Sequence, residues 1–177
     1  MVLSMRNKNI YVYGTVFNSA DTIDRCIRSL NRLKVKAIYV TDNFSTDGTY
    51  EKLKRYKKIT VIQKKCSRGE GREIAKIEML KHCQSYDLVL TADFDTELTS
   101  SAINYVKSKK KLDNNNIFYA IGYLGTAHTH SKVKWHDLMN GDDTEFIAQA
   151  INKKITVIFL YLFSFSYVPS VEKLSVT

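Results

Sequence analysis

The stretch IYVYGTVFNSADTIDRCIRSLNRLKVKAIYVT, Ile10 to Thr41, changes its hydrophobic period twice. Ile10 to Phe17 is rich in β-branched and aromatic residues and reads as a buried strand. After Ser19 the apolar positions Ile23, Cys26, Ile27, Leu30 and Leu33 recur at helical spacing, and Asp21 stands where a helix N-cap is expected. Ala37 to Thr41 is apolar and β-rich again. A strand, a helix and a second strand within about thirty residues form a βαβ unit, which places the two strands parallel in one sheet.

The same alternation continues along the chain. TYEKLKRY follows the Asp47–Gly48 turn as a short helix, and ITVIQ is a third strand. GREIAKIEMLKHC, DLVLTAD and SSAINYVKSKKK read as helix, strand and helix, and a polar loop at Asn114 to Asn116 leads into IFYAIGYLG, read as one more strand. The expected fold is α/β, with a mostly parallel central sheet. In such sheets the ligand crevice lies beyond the carboxyl ends of the strands. That rule nominates the loops Thr15–Asn18, Asp42–Asp47, Lys65–Arg72 and Asp93–Glu97, all of them polar or charged.

At 177 residues the chain has the size of one domain with a full hydrophobic core. Apolar residues make up 44% and charged residues 25%, which excludes a disordered chain. Lys and Arg outnumber Asp and Glu by 27 to 18, and the net charge of +9 favours an anionic partner. The cations look scattered in sequence and no nucleic-acid-binding motif is present, so nucleic acid is not the expected partner. Cys26, Cys66 and Cys83 form no metal-binding spacing and no disulfide framework. With the N-terminal apolar run broken at Arg6, Asn7 and Lys8, the expectation is a cytoplasmic protein.

Three loops carry the chemistry. In LTADFD, Leu90 to Asp95, an apolar run ends on two aspartates one residue apart. Residues i and i+2 of an extended segment project to the same side. The carboxylates of Asp93 and Asp95 would thus face one hard cation, Mg²⁺ or Mn²⁺, with Phe94 turned into the core. In VTDNFSTDGT, Val40 to Thr49, Asp42 and Asn43 offer acceptors to the imino N–H of a base; the same residues also suit an ordinary capped turn. In CSRGEGRE, Cys66 to Glu73, two glycines allow close backbone approach, and two arginines at a helix start suit a diphosphate. Neither a Walker A nor a Rossmann glycine pattern is present.

Taken in order, TVFNSADTIDRCIRSL, VTDNFSTDGT, RGEGREIA and LTADFDTEL resemble the motif series of family-2 glycosyltransferases, from about Ile10 to Ala150. The resemblance implies a GT-A-like, Rossmann-type α/β/α sandwich and a nucleoside-diphosphate sugar donor, with a lean to UDP. It also implies a divalent cation and inversion at the anomeric carbon. By that resemblance Thr15, Phe17 and Asn18 hold the nucleoside, Asp42 and Asn43 face the base, and Arg72 is the basic residue on the donor side. Asp93 touches the ribose or the metal, and Asp95 ligates the metal at the diphosphate. GDDTEFIAQA, Gly141 to Ala150, is similar to the family segment that opens a helix with the catalytic carboxylate. This makes Asp143 the general base and puts Asp142 where the family has Glu. An arginine common six residues after the base is here Gln149, and the chain is short beyond it.

On this reading residues of about 9–98 form the nucleotide-binding part and residues 99–177 the acceptor side, within a single domain. The acceptor is a glycan, a lipid-linked molecule or a protein. His128, His130, Trp135 and His136 match no zinc spacing. They read either as an acceptor-side loop with Trp135 as a sugar-stacking surface, or as exposed histidines around a core tryptophan. Ile155 to Val168 runs without a charge but is too short for a span of about 20 residues. It reads as a core element, with peripheral membrane contact as the alternative. A sugar nucleotidylyltransferase and a non-catalytic basic binding domain are the rival functions.

Overall fold

A computed structural model describes residues 8–109, 112–119, 122–138, 141–160 and 171–173. In chain order the elements are β1 (Ile10–Val16), α1 (Ala20–Asn31), β2 (Ala37–Asp42), α2 (Thr49–Lys54), β3 (Ile59–Gln63), α3 (Arg68–Leu80), β4 (Leu88–Thr91), α4 (Ser100–Ser108), β5 (Asn116–Tyr119), β6 (Tyr123–Thr126), α5 (Ala127–Lys132), α6 (Asp142–Asn152), β7 (Thr156–Leu160) and β8 (Val171–Lys173). The strands form one sheet in the order β3-β2-β1-β4-β6-β5-β7-β8. β1 pairs in parallel with β2 and β4, β2 with β3, and β5 with β7, while β6 runs antiparallel between β4 and β5.

Helices cover both faces of the sheet. Ile23, Ile27 and Leu30 of α1, Leu53 of α2 and Ile103 of α4 pack on Ile10, Val12, Ile38, Val40, Leu88 and Leu90. The opposite face, Tyr11, Tyr13, Tyr39 and Val89, takes Ala75 and Met79 of α3 and Phe146 and Ala150 of α6. The chain winds outward through β1, β2 and β3, then returns through α3 to the other side of β1. Right-handed crossovers require that return helix to lie on the opposite face, which is where α3 is found. The reversal leaves a topological switch point between β1 and β4, and the crevice rule puts the ligand there.

Three local expectations change. The N-cap of α1 is Ser19 and not Asp21; the backbone N–H of Ala20 is met instead by Asp47 at 2.8 Å, from the neighbouring loop. α3 starts at Arg68, three residues early, because the Ser67 hydroxyl accepts from the N–H of Glu70. IFYAIGYLG is a hairpin of β5 and β6, with Phe118 opposite Leu124. Of the charge-free run Ile155–Val168, the first part is a core element. Ile155, Val157 and Ile158 are buried around β7, and residues 161–168 lie outside the described ones.

Candidate active site

The carboxyl ends of β1, β2 and β4 open on a cleft of about 260 Å³. Its walls include Thr15 at the end of β1 and Phe17 just after it, Asn43 after β2, Ser67 and Arg68 at the start of α3, and Asp93 and Asp95 after β4. A smaller cavity next to it is lined by Arg72, Asp93, Tyr123 and Asp143. Asp93 lines both, so the two spaces adjoin at that residue.

Each expected residue has a definite place. Thr15 donates its hydroxyl to the carbonyl of Thr41 at 3.0 Å, and Phe17 stands exposed on the cleft wall. Asn43 accepts from the backbone N–H of Cys66 at 3.0 Å; this fixes its amide and leaves the NH₂ end free of that contact. Asn18 and Asp42 are not on the wall. Asn18, at a positive φ of 44°, accepts from the N–H of Thr46 at 2.9 Å and clasps the loops after β1 and β2. Asp42 is fully buried and accepts from Ser45 N and Gln63 Nε2, each at 3.1 Å, and from the Ser45 hydroxyl. Asp42 thus shapes the cleft from behind, and exposed Asn18 holds two of its loops together.

Asp93 and Asp95 flank Phe94, which is 1% exposed and packs in the core, as the alternation requires. The segment is a turn rather than an extended strand, since Thr96 N–H donates to the carbonyl of Asp93 at 3.2 Å. Both carboxylates are exposed.

Arg72 is the hub. Only 3% exposed, it donates to Asp93 at 2.6 Å, to Asp142 at 2.9 Å and to Asp143 at 3.0 Å, and its guanidinium lies 4.7 Å from the Trp135 ring centre. Asp142 is buried between Arg72 and Arg68, which grips it with two nitrogens. Burial pushes the Asp142 carboxyl upward, but the Arg68 hydrogen bond and the two guanidinium charges outweigh it and hold the group below the ordinary carboxylate range. Asp143, one residue on, keeps 38% of its side chain exposed and faces the smaller cavity.

The glycines of RGEGRE serve packing. A Cβ on Gly71 would lie 2.4 Å from the Thr15 hydroxyl, and one on Gly69 would lie 2.0 Å from the His136 carbonyl. The first turn of α3 is pressed onto the end of β1 and onto the 133–138 segment, which is how Arg68 and Arg72 reach the site.

Trp135 is not a sugar-stacking surface. It is buried, stacks on Phe146 with ring centres 4.2 Å apart, and donates its indole N–H to Tyr13 Oη at 2.8 Å. Tyr13 thereby has its proton free for His130 Nδ1, 3.1 Å away, which leaves the neutral ring's proton on Nε2. Gln149, standing where an arginine was expected, straps this segment to α6 by bonding the N–H and the carbonyl of Lys134. Sequence reading missed this support under Arg72, because Tyr13 lies more than a hundred residues from the Trp135 and His130 that it holds.

His130 gives the fold a pH dependence. Burial first, and the nearby Lys76 charge second, pull its pKa from 6.5 down to about 3. The unfolded chain takes a proton below 6.5 and the folded one does not, so stability is complete above that value and is lost as pH falls from 6.5 towards 3. The loss should be about 2 kcal/mol between pH 7 and pH 5. His130→Gln should flatten that slope in urea melts; an unchanged slope would assign it to another group.

The sequence pattern of glycosyl transferase family 2 matches residues 12–166. No curated protein matches the chain. Among solved structures, Staphylococcus aureus TarS 1-349 superposes with a TM-score of 0.64 at 15% identity, over 80% of this chain and 55% of that one. The same protein in complex with UDP-GlcNAc gives 0.63 at 15%, over 80% and 53%. The 4-diphosphocytidyl-2C-methyl-D-erythritol synthase from Anaerococcus prevotii DSM 20548 gives 0.56 at 14%, over 87% of each chain. This chain thus spans about half the length of the TarS 1-349 structures. At these identities the likeness shows a shared fold, here the GT-A type, and the match over residues 12–166 shows the family: the chain belongs to glycosyl transferase family 2.

Proposed function

We propose that the chain moves a sugar from a nucleoside-diphosphate donor to an acceptor hydroxyl by a single displacement with inversion. The observation that carries this reading is the junction at Asp93, where the larger cleft meets the cavity that holds Asp143. The nucleoside lies against Thr15, Phe17 and Asn43, and the diphosphate lies towards Arg68. The anomeric carbon then sits at the junction, and the acceptor enters beside Asp143. As the acceptor oxygen bonds to that carbon, the bond to the diphosphate oxygen breaks and the Asp143 carboxylate takes the hydroxyl proton. Arg68, exposed at the cleft, offers its guanidinium to the charge gathering on the departing diphosphate. UDP is the favoured donor nucleotide, and TarS, whose structure in complex with UDP-GlcNAc shares the fold, is the precedent for it.

The donor set at Asp93 and Asp95 suits a divalent cation. Both are exposed carboxylates on the cleft wall, and Mg²⁺ is usually held by one or two carboxylates plus substrate phosphates. Among the described residues no group of three or more His, Cys, Asp or Glu side chains is placed to hold a metal ion by itself, so on this reading the donor's phosphates complete the ligand set. Asp93 is shared with Arg72, which makes Asp95 the principal ligand. When bound, Mg²⁺ or Mn²⁺ supplies Lewis-acid neutralisation of the diphosphate.

A panel of nucleoside diphosphates and their sugars, with and without Mn²⁺ or Mg²⁺, tests this reading by thermal shift. The expected result is stabilisation by a nucleoside diphosphate only when metal is present, and loss of that metal-dependent shift in Asp95→Ala with an unchanged fold. A variant that responds like the wild type contradicts the metal assignment. A wild type that responds to no nucleotide contradicts the function.

A further inference from the structure

Cations that look scattered along the chain gather in space. From Arg25 to Thr41 there are five, Arg25, Arg28, Arg32, Lys34 and Lys36, and from Lys52 to Gly69 eight, Lys52, Lys54, Arg55, Lys57, Lys58, Lys64, Lys65 and Arg68. Neither stretch contains a single Asp or Glu. These stretches build the second half of α1, β2, the second half of α2 and β3, which are neighbours at one edge of the sheet. Lys36 and Lys58 open adjacent parallel strands: Lys36 N–H donates to the Ile10 carbonyl, and the Lys58 carbonyl accepts from Ile38 at 2.9 Å. Adjacent strands lie about 4.8 Å apart. The Lys58 ammonium reaches the Val35 carbonyl at 3.1 Å, drawing the two connections together.

At this amino-end edge Lys34, Lys36, Lys54, Arg55, Lys57 and Lys58 are all exposed. None of the six is in an ion pair among the described residues. A helix C-terminus favours cations in its last turn, which accounts for Arg28, Lys52 and Lys54. It does not account for Lys36, Lys57 and Lys58, which lie outside the helices.

We infer that this lobe docks on an anionic lipid surface, with the donor cleft facing away from the bilayer. A bilayer attracts cations without requiring a groove, at about 1 kcal/mol for each lysine near it. Single-stranded nucleic acid needs aromatic platforms for its bases. The exposed large hydrophobics among the described residues are Phe17, Phe44, Ile77 and Leu138, none of them at this edge. Tyr56 donates its hydroxyl to Asp24, and Tyr50 lies under the Lys54 ammonium. The cleft is at the carboxyl ends of the same strands, about 20 Å away at 3.3 Å per residue, so docking leaves it open to solvent.

Flotation of the full chain with vesicles tests it. The chain should float with phosphatidylcholine vesicles containing phosphatidylglycerol and stay behind with pure phosphatidylcholine, and added salt should release it. The combined variant Lys36→Gln, Arg55→Gln, Lys57→Gln should lose about a hundredfold in partitioning. The equally neutralised control Lys107→Gln, Lys134→Gln, Lys154→Gln, at exposed positions elsewhere, should lose only about threefold, the effect of overall charge. Both variants should keep the wild-type circular dichroism and melting temperature. Equal losses in the two variants would overturn the inference, because net charge and not the lobe would then be responsible. So would flotation that ignores phosphatidylglycerol, or tighter binding of the lobe to DNA or RNA than to the anionic vesicles.

Discussion

Asp143→Asn is expected to slow sugar transfer by about 10²–10⁴-fold, equivalent to roughly 3–5 kcal/mol of barrier. Donor and metal affinity should change little. Asparagine keeps the shape of the side chain and can still bond Arg72, but its amide cannot accept a proton at neutral pH. The neighbouring Asp142→Asn separates the two roles. Asp142 is 2% exposed and fixed between Arg68 and Arg72, so its loss should appear first as reduced stability. Steady-state rates and melting temperatures for both variants distinguish them. If Asp142→Asn lost the rate and Asp143→Asn kept it, the proton acceptor would be the buried residue and the cavity assignment would be wrong.

Arg72→Leu is expected to destabilise the fold by about 3–5 kcal/mol, the usual consequence of removing one partner from a buried ion pair. For a chain of this size that corresponds to roughly 10 °C in melting temperature. Three carboxylates depend on this guanidinium, and buried Asp142 would keep only Arg68, whose own side chain is 55% exposed. Arg72→Lys should fall in between, because an ammonium is a point charge and cannot bridge Asp93 and Asp142 in one plane. The Trp135 ring would also lose the cation above it. A Leu variant that melts with the wild type would mean that the carboxylates are not held by Arg72.

The sequence made the parallel half of the fold legible and obscured the antiparallel half. ITVIQ became β3 from Ile59 to Gln63 without change, since a pair of lysines bounds it on each side, Lys57–Lys58 and Lys64–Lys65. IFYAIGYLG hid a chain reversal, because both strands of the hairpin are buried and the periodicity of an apolar run does not reveal where it folds back. The reversal is marked by Gly122, where a Cβ would lie 1.9 Å from the Thr91 carbonyl. The candidate site divides in the same way. The loops after β1, β2 and β4 lie where the crevice rule put them, and Thr15, Phe17, Asn43, Asp93 and Asp95 line one cleft. What could not be read was the support: that Asp42 would bond Ser45 and Gln63, and that Trp135 would turn inward onto Tyr13. Those contacts join distant segments, and no local pattern encodes them. The adjacent aspartates 142 and 143 look equivalent in sequence. About 100° of helix rotation sends one under the arginines and the other into the cavity.

A single displacement at the junction of the two cavities can be tested with the donor alone. Water can stand in for the acceptor, so the chain with metal and an α-linked nucleotide sugar should release free sugar slowly. Proton NMR of the anomeric region, recorded before mutarotation, reads the configuration of that first product. Inversion beside Asp143 predicts that the β-anomer appears first and that Asp143→Asn suppresses it. An α-anomer appearing first would mean retention and would rule out a single displacement beside Asp143.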